Sequence, residues 1–252
     1  MDIIGHGFIA RSLQPIAHRH PDTVVFAAGV SSVGAVSEQQ FAREADLLYP
    51  VLRGCAAHGR RVVYFSTSSA SMYGGQGSTG RESDPVYPPD PYGRHKLALE
   101  SVVAASGAEH LLLRLSHTIG AGQPPHQLLP ALVRQITAGR LRVFRGAHRD
   151  LIDVADVVRI VDDLLTAGVV NEVVNVATGV GVPVEEVLDH VERRLRPGRP
   201  VTREYVDRPG THDVSIEKLR RLIPGVDRLR FGPDYFRAVI DRYLDATLGV
   251  PS

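Results

Sequence analysis

Short apolar runs that alternate with helix-like segments place the strongest constraint on the fold of this chain. The clearest runs are DTVVFAAG, RRVVYFSTS, HLLLRLS and EVVNVAT, and a helix is predicted between the first two, from about Ser37 to Ala57. Continuous apolar runs of this length are typical of parallel strands buried on both faces. Their alternation with helices indicates βαβ units and an α/β fold. Ligands bind such sheets at the carboxyl ends of the strands, so the candidate site is expected there.

Composition narrows the class of partner. The formal net charge of +1 gives no support to a nucleic-acid or anionic-membrane partner. Cys55 is the single cysteine, which excludes an internal disulfide and fits a reducing compartment. No basic-then-apolar leader is present, and no apolar run approaches the roughly 18 residues of a membrane span. These observations predict a cytoplasmic protein, and no metal site is expected.

A glycine turn follows the first predicted strand. The segment GHGFIA, residues 5–10, has the pattern G-x-G-x-x-A and opens a helix predicted to run to about His18. In this pattern Gly5 makes the tight turn, and Gly7 lets the backbone approach a pyrophosphate. Ala10 keeps the helix close to the sheet, and the helix N-terminus supplies N–H donors. The turn predicts dinucleotide binding, although glycines also serve ordinary turns.

One element of a dinucleotide site is not found in the sequence. The first helix of such a fold normally leads to a strand that ends in Asp or Glu, which holds the adenosine ribose. Here the helix passes through HRHPD, residues 18–22, directly into TVVFAAG, which ends in small residues. Asp22 lies at the wrong end of that strand. The adenosine half of the cofactor site is therefore predicted to be abbreviated.

Tyr92 and Lys96 lie one helical turn apart, on one face of the predicted helix PYGRHKLALE. A cation near a phenol stabilises the phenolate and lowers the pKa of Tyr from about 10. Such a tyrosine exchanges a proton with an alcohol or a carbonyl oxygen, and a nearby hydroxyl would hold that oxygen. The hydroxyl-rich end of RRVVYFSTS lies upstream. Alternatively, Tyr-x-x-x-Lys arises by chance in helices with an exposed lysine.

Six motifs in order resemble the extended short-chain dehydrogenase/reductase family, the NAD-dependent epimerase/dehydratase group that acts on sugar nucleotides, and in particular its actinobacterial ketoreductases of deoxysugars. The motifs are GHGFIA, VVFAAG, YFSTSSASMYG, PYGRHKLALE, LLLRLSHTIGAGQ and RDLIDVADVV. The resemblance implies a Rossmann-like, doubly wound parallel sheet, shortened after the first βα unit. It also implies a dinucleotide-binding core at residues 1–118, completed by parts of 140–178. Residues 119–252 would be mainly a small substrate-binding portion.

The resemblance also implies residue roles. Tyr92 is the catalytic acid/base, and Lys96 binds the nicotinamide ribose and lowers the pKa of Tyr92. The catalytic hydroxyl is Ser68 when counted forward from Phe65, or Ser69 when counted back from Tyr73; Ser69 is favoured. The cofactor, NADPH or NADH, is expected to contact Gly5, Gly7, Phe8, Ile9, Ala28, Gly29, Ser66, Tyr92 and Lys96.

Substrate contacts follow from the same resemblance. Arg149 matches a family arginine that pairs with substrate phosphate. His117 stands where relatives often have asparagine, and it either contacts the diphosphate or is a structural histidine at the sheet edge. Arg208 or His212 takes the place of a second phosphate arginine. A homodimer through the helix that contains Tyr92 is a further expectation.

The reaction is predicted from what the motifs contain and lack. The run SSASMYG has none of the carboxylates with which the family's dehydratases eliminate water. An abbreviated adenosine site favours exchange of the cofactor as a co-substrate. We therefore expect reduction of the 4-keto group of a dTDP-activated 4-keto-6-deoxyhexose, in deoxysugar and antibiotic biosynthesis. The alternatives are a sugar-nucleotide epimerase of the same family and a non-catalytic dinucleotide-sensing protein.

Overall fold

The computed structural model describes residues 1–31, 37–74, 78–196, 198, 200–207 and 213–249. Arg208 and His212, two of the predicted substrate residues, lie outside the described residues. The strands in chain order are β1 Asp2–Ile4, β2 Thr23–Phe26, β3 Arg61–Thr67, β4 His110–Leu115, β5 His117–Ile119, β6 Arg140–Arg145, β7 His148–Arg149, β8 Leu151–Asp153, β9 Glu172–Val176, β10 Val182–Pro183 and β11 Thr202–Asp207.

Some of the helices begin at a residue whose side chain caps the first turn. In chain order the helices are α1 Phe8–Leu13, α2 Glu38–His58, α3 Ala70–Tyr73, α4 Pro91–Ala104, α5 Leu128–Ala138, α6 Val154–Thr166, α7 Val184–Leu195, α8 Glu217–Leu222 and α9 Tyr235–Leu248. Ser37 starts α2 with a capping box, and the Asp90 carboxylate accepts the Gly93 N–H at the start of α4. Within the described part of the chain, no helix is long and apolar enough to cross a membrane.

Five strands form the central parallel sheet in the order β1-β2-β3-β4-β9. The remaining strands form two-stranded ladders, β5 with β8, β6 with β11 and β7 with β10. The predicted parallel α/β sheet is therefore confirmed. The first helix is shorter than predicted. It ends at Leu13 and continues as a 3-10 helix, Gln14–Arg19, because Pro15 lacks the N–H that a longer α-helix would need.

Helices cover both faces of this sheet. Val25 and Val63 pack on the face that carries α1 and α6, whereas Val24 and Tyr64 pack on the face of α2 and α4. The strands β1, β2 and β3 nevertheless follow one another in a single direction across the sheet. With α1 and α2 on opposite faces, the crossovers β1–α1–β2 and β2–α2–β3 must have opposite hands, although such crossovers are almost always right-handed. Among the described residues, no strand pairs with the outer edge of β1.

A second apolar core lies in the C-terminal half of the chain. It brings together side chains from α5, β6, α7 and α9, including Leu129, Val143, Leu188 and Ile240. Leu219 of α8 belongs instead to the cluster under the central sheet. The division of the chain near residue 118 stays a prediction.

Candidate active site

Three hydroxyl groups meet where β3 ends and α4 begins. The Thr67 hydroxyl lies 2.9 Å from Ser69 Oγ and also hydrogen-bonds to the half-buried Tyr92 phenol. The result is a chain of hydroxyls from Tyr92 through Thr67 to Ser69. Sequence reasoning named Ser69 but missed Thr67, which lies in the same hydroxyl-rich run. The bend at the end of the strand decides which hydroxyl faces the phenol, and this bend has no sequence signal of its own.

The two serine candidates have different surroundings. Ser68 is fully buried, and its backbone N–H donates to the Leu115 carbonyl at 2.9 Å. Ser69 is only half-buried and caps α3, where its Oγ accepts the Ser71 N–H at 3.3 Å. A hydroxyl that contacts a substrate must be accessible to it. The arrangement therefore supports Ser69 over Ser68.

The Lys96 ammonium is buried on the β3 side of α4, where it contacts three oxygen atoms. Its Nζ lies 2.8 Å from Glu44 Oε1, 3.3 Å from the Tyr64 hydroxyl and 3.3 Å from the Phe65 carbonyl. An ammonium has three N–H donors, and these partners can occupy all of them. The same Nζ lies 6.0 Å from the centroid of the Tyr92 ring.

The pKa of Tyr92 is raised in this structure. Burial is the main cause, and the negative charges of Glu44 and Asp90 act in the same direction, whereas the Thr67 hydrogen bond lowers the pKa. The effect of Lys96 on the pKa of Tyr92 stays a prediction. In this structure burial has the largest effect on the phenol, and the Lys96 ammonium is paired with Glu44.

Glu44, on α2, is the largest feature of the site that sequence reasoning missed. Its side chain is 1% exposed, and Oε2 accepts the Val30 N–H at 2.7 Å and lies 3.1 Å from His95 Nε2. Although burial opposes ionisation, these hydrogen bonds and Lys96 lower the pKa of Glu44 to about 2. The sequence signal for it is its spacing: Glu44 lies four residues before Leu48, on the face of α2 that is otherwise apolar and buried.

The glycine turn after β1 has the shape of an anion-binding turn. Gly5 has a φ of +125°, and a Cβ there would lie 2.5 Å from the Ala27 carbonyl oxygen. A Cβ on Gly7 would meet no described atom within 4 Å. Phe8 and Ile9 lie in the first turn of α1, where backbone N–H groups have no intrahelical partner and no side chain caps the turn.

Other predicted cofactor residues lie at the ends of the neighbouring strands. Ala28 and Gly29 follow β2, and a Cβ on Gly29 would lie 2.6 Å from Glu44 Oε1 and 2.7 Å from Lys96 Nζ. Ser66, the next-to-last residue of β3, is buried, and its hydroxyl has no partner among the described residues. A buried hydroxyl without a partner is costly, so this position suits a ligand group that would complete it.

His117 and Arg149, the two described substrate candidates, lie close together because the backbone at His117 hydrogen-bonds to the residue after Arg149. The His117 N–H donates to the Asp150 carbonyl at 3.1 Å, next to Arg149. Arg149 Nη1 donates to the His148 carbonyl at 2.7 Å, and both candidate side chains are half-buried. Asp150 is itself buried and accepts backbone N–H groups of the loop after β9.

A buried polar network lies between α4 and the sheet. The Glu100 carboxylate accepts two hydrogen bonds from Arg114 of β4, at 3.0 Å and 2.7 Å. Arg114 Nη1 also donates to the Tyr73 hydroxyl at 3.0 Å, which in turn donates to Asn175 of β9 at 2.8 Å. Because Glu100 is on α4 and Arg114 is on β4, this network holds α4 against the sheet. Glu100 lies one helical turn beyond Lys96.

A parallel α/β sheet, a glycine turn after its first strand and a Tyr/Lys pair on α4 are features of the short-chain dehydrogenase/reductase class. Residues 10–177 match the model of the NAD dependent epimerase/dehydratase family, and the chain belongs to that family. The resemblance to this family seen in the sequence is thereby confirmed. In the described part of the chain, no three His, Cys, Asp or Glu side chains are grouped to hold a metal ion.

The chain is similar to two curated proteins whose names refer to nucleotide-activated sugars. The chain is 35% identical over 175 residues to dTDP-6-deoxy-L-talose 4-dehydrogenase (NAD(P)(+)) of Kitasatospora kifunensis, over 63% of this chain and 54% of the relative. It is 30% identical over 212 residues to UDP-glucose 4-epimerase 4 of Oryza sativa subsp. japonica, over 68% of this chain and 55% of the relative. The chain thus spans about half the length of these curated relatives.

Solved structures share the fold. RMD from Pseudomonas aeruginosa complexed with NADPH has a TM-score of 0.76 and 21% identity, covering 97% of this chain and 98% of its own. UDP-glucose 4-epimerase with UDP-glucose from Thermotoga maritima has a TM-score of 0.71 and 21% identity, covering 93% of this chain and 80% of its own. At these identities the likeness establishes the fold.

Proposed function

We propose that the chain catalyses the NADPH- or NADH-dependent reduction of the 4-keto group of a dTDP-activated 4-keto-6-deoxyhexose. The observation that carries this proposal is the hydroxyl chain from Tyr92 through Thr67 to Ser69, at the carboxyl edge of the sheet and beside buried Lys96. The name of the 35% identical relative, a dehydrogenase at C4 of a dTDP-6-deoxysugar, supports the substrate class.

The residues of this chain fit a nicotinamide dinucleotide. The turn from Gly5 to Ile9 would hold the pyrophosphate, because Gly7 leaves room for it and the first turn of α1 has no side-chain cap. Ala28, Gly29 and the unpartnered Ser66 would border the nicotinamide half, next to Lys96. When bound, the reduced cofactor supplies the hydride.

Tyr92 supplies the proton. A tyrosine phenol, with an ordinary pKa of about 10, is protonated at neutral pH and can donate to the oxygen of a carbonyl that is being reduced. Thr67 and Ser69 would orient that oxygen and share the hydrogen bond to it. Arg149 and His117 would contact the diphosphate of the sugar nucleotide, and Arg208 or His212 would add a second contact. We include a homodimer, a cytoplasmic location and a role in deoxysugar biosynthesis in the proposal.

The two glycines of the turn give separable predictions. Gly7→Ala should leave thermal unfolding unchanged, because its Cβ meets no described atom, but should weaken NADPH binding about tenfold or more by crowding the pyrophosphate. Gly5→Ala should lower the unfolding temperature, because its Cβ would clash with Ala27. Cofactor fluorescence titration and thermal unfolding measure both effects. Unweakened binding by Gly7→Ala would place the pyrophosphate elsewhere.

The function is tested directly by turnover. Mixing the protein with NADPH or NADH and a dTDP-4-keto-6-deoxyhexose should remove the absorbance of the reduced nicotinamide. With C4-deuterated cofactor, deuterium should appear at C4 of the sugar. The epimerase alternative, favoured by the 30% identical relative, instead predicts that a sugar nucleotide with a 4-hydroxyl group is inverted at C4 without net cofactor oxidation. Binding of either cofactor without any turnover would support the non-catalytic alternative.

A further inference from the structure

A single carboxylate connects the two helices that lie beside the hydroxyl chain of the site. Asp90 is the N-cap of α4, and its Oδ1 accepts the Gly93 N–H at 2.8 Å. Its other oxygen, Oδ2, accepts the hydroxyl of the buried Ser71, on α3, at 2.7 Å. The carboxylate therefore bonds to the first turn of α4 and to α3 at the same time.

The same two helices also approach each other through their backbones. A Cβ on Gly93 would lie 1.6 Å from the Ser71 carbonyl oxygen, so the approach requires glycine at this position. At the end of α3, a Cβ on Gly74 would lie 2.5 Å from Cδ of Pro89, the residue before Asp90. The hydrogen bond between Ser71 and Asp90 thus joins two segments that are already in close contact.

The groups proposed to hold the reacting oxygen are close in sequence to this hydrogen bond. Ser69 caps α3 two residues before Ser71. Tyr92 follows Asp90 by two residues, in the first turn of α4. Both side chains hydrogen-bond to Thr67 at the end of β3. A hydroxyl and a phenol that hold one carbonyl oxygen must keep a fixed separation, because a misplacement of about 1 Å can cost 10²-fold in rate.

We infer that Asp90 is a positioning residue: its hydrogen bond to α3 sets the separation between the Ser69 hydroxyl and the Tyr92 phenol. The inference rests on the proposed function for the roles of Ser69 and Tyr92. The hydrogen bonds of the carboxylate go to Gly93 and Ser71, so Asp90 acts through the two helices and not on the substrate. Its loss should therefore change the rate of the chemical step and leave binding of the cofactor as it is.

Two variants break the bond between the helices and keep the cap of α4. Ser71→Ala removes the donor, and Asp90→Ser retains a capping oxygen on a side chain too short to reach α3. Each should lower the turnover number for carbonyl reduction about tenfold or more, with an unchanged dissociation constant for NADPH. Asp90→Asn keeps both contacts, because the Ser71 hydroxyl can also accept, and should retain turnover. Ser101→Ala, the matched control at an exposed position of α4, should change neither quantity.

The separation itself is measured without turnover, as the distance from Ser69 Oγ to the Tyr92 hydroxyl in crystal structures of the variants. It should change by about 0.5 Å or more in Ser71→Ala and Asp90→Ser and stay constant in Asp90→Asn. Ser71→Ala decides the case by itself if Asp90→Ser does not fold. An unchanged separation overturns the inference whatever the activity, and so does a lower unfolding temperature with full turnover. A changed separation in a protein that reduces no keto sugar would refute only the proposed function.

Discussion

Replacing Tyr92 by Phe should lower the turnover number for carbonyl reduction by about 10²–10⁴-fold, the usual contribution of a positioned proton donor. The phenyl ring keeps the packing at the start of α4, so only the hydroxyl that hydrogen-bonds to Thr67 is lost. Cofactor affinity and the unfolding temperature should remain close to those of the unsubstituted protein. Steady-state kinetics with the keto sugar, together with cofactor titration and thermal unfolding, separate these quantities.

The matched control is Tyr49→Phe, which removes a hydroxyl from an exposed tyrosine of α2. It should leave turnover unchanged. If Tyr92→Phe also retained full turnover, the proton would have to come from another group, and the assignment of Tyr92 as the acid would fail. If Tyr92→Phe lost cofactor binding together with turnover, the tyrosine would serve mainly to bind.

Glu100→Gln should destabilise the protein by about 3–5 kcal/mol, because it leaves the Arg114 charge buried without its partner. Both side chains are 5% exposed, and the pair carries two hydrogen bonds. The loss should propagate to α4, which carries Tyr92 and Lys96 as well as Glu100. Urea unfolding at neutral pH measures the change in the free energy of unfolding.

Glu109→Gln provides the comparison for this prediction. Glu109 also pairs with an arginine, Arg61, but at 3.9 Å and with 57% of its side chain exposed. An exposed pair of this kind contributes about 0–1 kcal/mol. Replacing both members of the buried pair, as in Glu100→Leu with Arg114→Met, should cost less than Glu100→Gln alone, since no charge remains unpaired. Equal stability losses in Glu100→Gln and Glu109→Gln would show that burial of the pair does not matter.

The elements of the sheet could be predicted because buried parallel strands are continuous apolar runs. The helix expected from about Ser37 to Ala57 is α2, Glu38–His58, since a capping box and a glycine mark its ends. The short ladders of β5, β7, β8 and β10 were not predicted, because strands of two or three residues carry no periodic signal. Nor did the alternation of strands and helices reveal that α1 and α2 lie on opposite faces.

The site could be predicted as far as local spacing reaches. Tyr92 and Lys96 share a helix face because they are four residues apart, and the glycine turn follows from its place after β1. Thr67 and Glu44 could not be assigned in this way. Thr67 depends on a bend at the end of β3, and Glu44 reaches the pair from a helix 52 residues away in sequence.

By itself, the sequence determined the family, the parallel sheet and the helix face that carries Tyr92 and Lys96. These properties depend on local periodicity and on short motifs within single elements. Only the tertiary structure decided what surrounds these two side chains. Burial raises the pKa of Tyr92, and the Glu44 carboxylate, which pairs with Lys96, acts in the same direction. Electrostatic effects depend on distances in space and on exclusion of water, and packing of α2 against α4 is what establishes both here.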